Sequence, residues 1–243
     1  MIETFMSALD YLLEGSTPGI AWVLMISAVV MFATWAGAYT LIIIKSFHDR
    51  TFGVPLLAVC LNISWEAQMA VRPPESYPGL LQIGNLTWLI PDFLVLYLVY
   101  RFGRDMQVRP ELKKYFHVVL SATLVLSFFA ILTFRTYFND PYGVAAAWLL
   151  ALIMCVLFIF LAFDRPDGRG LSYPAAWLMM LGNIAAAIFC YYWHPMQFRI
   201  GRLDAALEPA SYGFLYLLYG IVPVLHVIYI VQLRRLRSSG AAA

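Results

Sequence analysis

Residues 52–71 read FGVPLLAVCLNISWEAQMAV, and the single charge in this stretch is Glu66. A helix needs about 20 apolar residues to cross the hydrocarbon core of a bilayer. The stretch meets that length, so it reads as a membrane span that carries one carboxylate near its far end. A charge at the centre of a spanning helix costs about 2.5–3.5 kcal/mol on insertion scales, and such groups face the bundle interior. The reading stands or falls with the rest of the chain.

Composition supports it. The 243 residues are 62% hydrophobic and 12% charged, against roughly 25% charged in soluble domains. Seven apolar runs of spanning length occur, at about 20–44, 52–71, 80–101, 115–137, 143–163, 173–193 and 212–233. The connections are short and no repeat is visible. The expectation is an all-α polytopic membrane protein, a seven-transmembrane-helix bundle forming a single membrane domain over residues 1–243. Residues 1–14 contain no basic residue and are interrupted by Glu3, Asp10 and Glu14, unlike a secretory signal. Ile2, Phe5, Met6, Leu9, Leu12 and Leu13 recur at helical spacing, which predicts an interfacial amphipathic helix within 1–18.

Basic residues favour the cytoplasmic ends of spans. Lys45, Arg50, Arg101, Arg104, Arg109, Lys113, Lys114, Arg165, Arg169, Arg234, Arg235 and Arg237 fall on one side, 12 of the 16. Arg72, Arg135, Arg199 and Arg202 fall on the other. The N-terminus is therefore expected to be non-cytoplasmic and the C-terminus cytoplasmic. A net charge of +2, dispersed along the chain, gives no footprint for nucleic acid. Cys60, Cys155 and Cys190 lie in apolar runs without metal-ligand spacing and read as small buried hydrophobes. The sequons at Asn62 and Asn85 lie within spans, out of reach of glycosylation.

Within the spans a few polar groups stand out. Asn62 precedes Glu66 by four residues and shares its helix face. The next span carries NLTWLIPDFL, residues 85–94, in which Asn85, Trp88 and Asp92 form one stripe. Pro91 removes a backbone donor beside Asp92. The two spans are neighbours joined by a short loop, so Glu66 and Asp92 are expected to line one cavity toward the outer half. Apolar surroundings disfavour the charged form of a carboxyl group, so one held this way can stay protonated near neutrality and act as an acid. The plainer alternative is interhelical hydrogen bonding. His226 in the last span and Asn183 in the sixth read more simply as packing and interhelical groups. Arg135 reads as a snorkelling side chain or a partner for an anion, and Arg72, His194, Arg199, Arg202, Asp204 and Glu208 as a solvated outer rim. Aromatic residues make up 16% of the chain. Trp22, Tyr77, Tyr173, Tyr192, Trp193 and Tyr212 fall at span ends, as interfacial belts do. Trp65, Trp88, Trp148, Trp177, Tyr216 and Tyr219 lie deeper, where a ring face can stabilise a cation.

Several functions are excluded. The only lysines are Lys45, Lys113 and Lys114, none in the last span, so no retinal Schiff base is available. The Asp-rich pairs with which intramembrane prenyltransferases hold magnesium and diphosphate are absent; Asn139-Asp140-Pro141, in an outer loop, is the one fragment of that kind. No zinc-type His/Glu spacing, phosphate loop or nucleophile elbow occurs. No metal or other cofactor is expected. What remains is acid catalysis on a lipophilic substrate.

At this point the chain resembles the small seven-helix integral membrane terpene cyclases of fungal meroterpenoid pathways and their bacterial relatives. The likeness rests on the length, the helix count, Asn62-Ile63-Ser64-Trp65-Glu66 and the Trp88-Leu89-Ile90-Pro91-Asp92 stretch. The resemblance implies that Glu66 is essential. The family also uses an aspartate near the last helix, and here Leu225-His226-Val227-Ile228-Tyr229 carries His in its place. Either His226 takes that role, or Asp92 does, or Asp204 and Glu208 reach in. The implied reaction is protonation-initiated cyclisation of a linear prenyl chain, free or attached to an aromatic, indole or polyketide head. Protonated Glu66 gives its proton to an alkene or epoxide, and Asp92 or His226 tunes or reprotonates it. Asn62, Trp65, Asn85, Trp88 and Tyr219 are the candidate substrate-binding residues, with Trp65, Trp88 and Tyr219 stabilising cations. The alternative is a small seven-helix transporter or proton-coupled carrier, since membrane carboxyls serve proton relays equally well. Membrane lipids are the other expected partner.

Overall fold

The computed structural model describes residues 2–71, 79–107, 109–199 and 209–238. They form eight helices: α1 (Ile2–Leu13), α2 (Pro18–His48), α3 (Leu56–Val71), α4 (Gly79–Phe102), α5 (Pro110–Tyr137), α6 (Val144–Asp164), α7 (Tyr173–Arg199) and α8 (Pro209–Ser238). No strand occurs among the described residues. Six helices, α2 and α4 to α8, are long and apolar enough to cross a membrane.

The seventh apolar helix departs from expectation. The span predicted over 52–71 is helical only over Leu56–Val71, 16 residues. The cause is local. Pro55 has no N–H to give and suits the residue before a first turn. A Cβ on Gly53 would lie 2.6 Å from the carbonyl oxygen of Gly170, so the chain there is pressed against another loop. Thr51, Phe52 and Val54 are buried in that turn. At 1.5 Å per residue the helix is about 24 Å long, short of a hydrocarbon core of about 30 Å. It does not face lipid alone: α4, α5 and α6 pack around it.

The helices form a ring. Going round it, α2 packs on α7, α7 on α8, α8 on α6, α6 on α3, α3 on α4, and α4 closes back on α2. Outside the ring, α5 lies against α3. The closest packing is between α2 and α7, where small residues let the backbones approach. A Cβ on Gly37 would meet Leu178 at 3.0 Å, one on Gly182 would meet Trp35 at 2.6 Å, and Ala38, Ala175 and Ala176 are buried between them. Without a hydrophobic drive between helices in lipid, such close packing is what joins them.

At one end of the ring the loops are tied together. Arg165, 5% exposed, donates to the carbonyls of Phe52 and Arg169 and lies 4.2 Å from the centroid of the Phe52 ring. Burial brings its guanidinium down to about 10. Asp49 accepts the N–H of Gly170 at 2.7 Å and pairs with Lys45 at 3.1 Å. Burial alone would raise the Asp49 carboxyl; the donors from Gly170, His48 and Lys45 outweigh it and hold Asp49 below the ordinary aspartate range. The main core, with Ile42, Val59, Leu98, Phe116, Phe158 and Leu233, fills this half of the ring.

The opposite end has its own cluster of Tyr11, Leu24, Tyr142, Trp193 and Met196. The Tyr11 and Tyr142 hydroxyls are 2.8 Å apart. So α1 is anchored on protein through Ala8 and Tyr11, in addition to any contact with the interface. Four aromatic and imidazole side chains lie differently from expectation, the first two of them at this end. His194 is not on a solvated rim but 2% exposed, and Trp193 is not a belt residue but 5% exposed. Both follow from α7 continuing to Arg199, past the predicted end at 193. Trp177 and Tyr216, expected to lie deep, face outward at 41% and 40% exposure. Arg72, Tyr77, Arg202, Asp204 and Glu208 lie outside the described residues.

Candidate active site

The ring encloses a cavity of about 450 Å³, within the range usual for small-molecule sites. Every helix of the ring contributes to its wall. Met31, Phe32, Trp35 and Tyr39 come from α2; Asn62, Trp65 and Glu66 from α3; Gly84, Asn85 and Trp88 from α4. Helix α6 supplies Ala147, Leu150, Ala151, Met154, Cys155 and Phe158, α7 supplies Met179 and Asn183, and α8 supplies His226. The wall is mainly aromatic and apolar, with a few polar groups set into it.

Glu66 is 7% exposed and lines the cavity. Its carboxyl makes no hydrogen bond with any described residue. Asp92 is 1% exposed and is not in the wall. The expectation that both acids line the cavity is met by Glu66 alone, because a tyrosine from α2 intervenes. The Tyr39 hydroxyl donates to Asp92 Oδ1 at 2.6 Å. Asn62 Nδ2 donates to Asp92 Oδ1 and Oδ2 at 3.0 and 3.1 Å and approaches the Tyr39 oxygen at 2.9 Å. Asp92 is thereby bound from two helices while Glu66, one turn beyond Asn62, is left facing the cavity.

The rings have fixed positions. Trp88 sits 5.2 Å from Phe32 and 5.7 Å from Tyr39, centroid to centroid. Trp65 Nε1 donates to the carbonyl of Gly143 at 2.8 Å. Gly143 has φ +64° at the start of α6, and a Cβ there would lie 2.6 Å from that indole nitrogen. Tyr219 is not in the wall; its ring is 4.4 Å from Trp148 and 5.9 Å from Tyr216.

His226 lies on α8, across the ring from α4. Its Nδ1 is 3.0 Å from the Val222 carbonyl and 3.1 Å from Cys155 Sγ. A carbonyl only accepts, so this contact places the proton on Nδ1 and leaves Nε2 with its lone pair. Cys155, which the sequence offered only as packing, is thus a cavity neighbour of the imidazole. Asn183, read as interhelical glue, is also in the wall. Tyr39 and Trp35 were not foreseen; the one available signal was a tyrosine hydroxyl in mid-span, which seeks a partner when buried.

The outer-loop residues have structural partners. Asp140, 1% exposed, accepts the N–H groups of Val144 and Ala146 at 2.8 and 2.9 Å and so caps α6. Burial pushes its carboxyl above the ordinary aspartate range, against the pull of those donors. Arg135 donates to the carbonyls of Asp140 and Pro141. Among the described residues, no three His, Cys, Asp or Glu side chains gather as a metal cluster would.

Comparison with known proteins adds the family. The sequence profile of the Pyr4-like transmembrane terpene cyclases matches residues 17–234. The chain is 30% identical over 165 residues to the terpene cyclase macJ of Penicillium terrestre, covering 65% of this chain and 62% of that protein. It is 27% identical over 167 residues to the Pyr4-family terpene cyclase mfmH of Annulohypoxylon moriforme, covering 66% and 67%. Against the terpene cyclase andB of Emericella variicolor the identity is 25% over 235 residues, covering 94% and 91%. The first of these alignments spans less than two thirds of the relative's length. No solved structure matches the chain. With the profile covering nearly the whole helical ring and its cavity, the chain belongs to the Pyr4-like transmembrane terpene cyclases.

Proposed function

We propose that this protein is a metal-free, protonation-initiated terpene cyclase, with Glu66 as the acid and a linear prenyl chain as substrate. The observation that carries the reading is the contrast between the two buried carboxyls. Asp92 accepts hydrogen bonds from Tyr39 and Asn62, as suits a carboxylate, whereas Glu66 accepts none from the described residues and lines an aromatic cavity. The names of the relatives agree with cyclisation chemistry.

In the proposed reaction, the Glu66 proton passes to the terminal alkene carbon, forming a C–H bond and a tertiary cation. With an epoxide, the proton goes to oxygen and the C–O bond breaks. Each following alkene gives its π pair to the cation, forming a C–C bond and moving the charge along the chain. A final C–H proton is lost and an alkene forms, so the protein is regenerated once that proton returns to Glu66. The wall holds the chain folded, so the ring closures need little further ordering. Trp65 and Trp88 offer ring faces to the cations, with Asn62 and Asn85 positioning the chain. Tyr219 serves from behind Trp148 rather than as a wall residue. The cavity keeps water from quenching the cation. His226 Nε2, on the far wall, is the base for the last proton, and Asp92 anchors Asn62 and Tyr39 beside the acid. Helix order and basic ends fit a cytoplasmic C-terminus.

The test is Glu66→Gln, which keeps shape and removes the transferable proton. Purified protein is incubated with farnesyl- and geranylgeranyl-bearing substrates in EDTA, and isomeric cyclic products are measured. Wild type should turn over in EDTA, and the variant should fold, bind and lose about 10²–10⁴ in rate or more. A Glu66→Gln protein with near-full turnover sinks the mechanism and moves a proton-coupled carrier ahead. Loss of wild-type turnover on chelation, restored by magnesium, overturns the metal-free step.

A further inference from the structure

The ring of helices is unevenly closed. Small residues bring α2 and α7 into close packing along their length, and α3 packs broadly on α4, but α2 and α4 meet only over a short stretch. The contacts named there are Tyr39 with Asp92 and the rings of Tyr39 and Phe32 with Trp88. Beyond them, and apart from the packing of α1 on α4, cavity-lining residues of both helices are exposed. Phe32 is 63% exposed and Gly84 is exposed, whereas Glu66, Leu150, Met154, Cys155, Phe158, and His226 are buried.

Gly84 is the one glycine in the cavity wall among the described residues. A glycine inside a helix lowers its stability, so its presence calls for a reason. Close packing is not the reason. A Cβ on Gly84 would meet no atom of a described residue within 4 Å, in contrast to Gly37, Gly143 and Gly182. Nor does Gly84 have the positive φ that favours glycine. A side chain at 84 would enter open space at a cavity wall that Gly84 shares with Phe32.

We propose that this gap between α2 and α4 is a lateral portal, through which a prenyl chain dissolved in the bilayer slides into the cavity, and that Gly84 keeps it open. The occupant rests on the cyclase reading above, but the portal can be tested without turnover. An apolar opening at membrane depth favours an acyclic isoprenoid tail over a hydrated solute, and Trp88 in the wall offers it a ring face.

The probe is a brominated, fully saturated isoprenoid alcohol of farnesyl length, which cannot be protonated to a cation. Its binding to protein in nanodiscs is followed by tryptophan quenching in stopped flow. An obstructed portal slows arrival and departure alike. Gly84→Phe should therefore lower both rates about tenfold while leaving Kd within about threefold. Ile83→Phe, adding bulk at the neighbouring lipid-facing position, should leave both rates unchanged, and Phe32→Ala should raise both. Wild-type rates in Gly84→Phe overturn the portal. So does a variant in which only departure speeds up, which marks a lost wall contact. If Gly84→Phe does not fold, unchanged or slower rates in Phe32→Ala overturn it. No saturable quenching in wild type overturns both the portal and the cyclase site. Portal kinetics as expected, without turnover of any prenyl substrate by wild type, overturn the cyclase reading alone.

Discussion

Two carboxyl groups buried within one ring of helices are put to different use by their neighbours. Asp92 is fixed by the Tyr39 hydroxyl and the Asn62 amide, so its energetic role is to satisfy two polar groups that would otherwise be buried alone. Glu66 has no such duty toward the described residues. The imidazole across the cavity completes the chemistry if its Nε2 accepts the last proton. His226→Gln tests this. Glutamine keeps a donor for the Val222 carbonyl and roughly the same size, but it cannot take up a proton. Turnover should fall by about 10²-fold or more, and the product should change from one alkene to a mixture of alkene isomers and water-trapped alcohols. Product analysis by mass spectrometry checks both. A single unchanged product at wild-type rate would assign the last proton to another group.

At the scale of elements, the cavity wall depends on how helices begin and end. Trp65 is held by the first residue before α6, and Gly143 is in the left-handed region there. Gly143→Ala adds strain of about 1–2 kcal/mol, and its Cβ displaces the Trp65 indole. A lower melting temperature in detergent and lost turnover are expected together; an unaltered melt would show that the turn adapts. At the other end, Asp49 fastens the α6–α7 loop to α2. Its folded carboxyl is held below the ordinary range, so its stabilisation is present above the unfolded pKa and is lost as pH falls through the folded one. Asp49→Asn should cost about 1–2 kcal/mol near neutrality, and the difference from wild type should shrink as pH falls below about 4. Melting curves against pH read this directly. Elements of this kind were only partly legible in the sequence. Apolar length placed seven helices, and the spacing of Asn62, Glu66 and Trp88 picked out residues of α3 and α4 that line the cavity, whereas Asp92 lies outside its wall. Length cannot tell a spanning run from a shorter helix preceded by a buried turn, as at Phe52–Pro55. Nor can a stripe on one helix reveal Tyr39, which reaches Asp92 only because the ring brings α2 beside α4.

Across the whole molecule, the ring sorts its contents along its axis. Packed core, tied loops and most cationic residues gather at one end, while the carboxyl-bearing cavity lies toward the other. Cationic residues resist translocation, so 12 of 16 at one end predict that this end faces the cytoplasm. The C-terminal end of α8, with Arg234, Arg235 and Arg237, belongs to it. Counting the shorter α3 as a seventh crossing, this prediction puts α1 on the other side and the α2–α3 and α6–α7 loops in the cytoplasm. The prediction also bears on the proposed chemistry: with the C-terminus cytoplasmic, Glu66 and its cavity would fall in the leaflet away from the cytoplasm, and the proposed prenyl substrate would have to reach that depth of the bilayer before protonation. Reporter fusions test the assignment. A fluorescent or phosphatase pair at the C-terminus should signal only from the cytoplasmic side, and one placed before α1 only from the opposite side. A C-terminal reporter active outside would invert the molecule and move the cavity to the cytoplasmic leaflet. Cysteine labelling at exposed Arg104, in the α4–α5 connection, gives an independent reading. Protection of that position from an impermeant reagent in intact cells, and reaction after lysis, is the expected result.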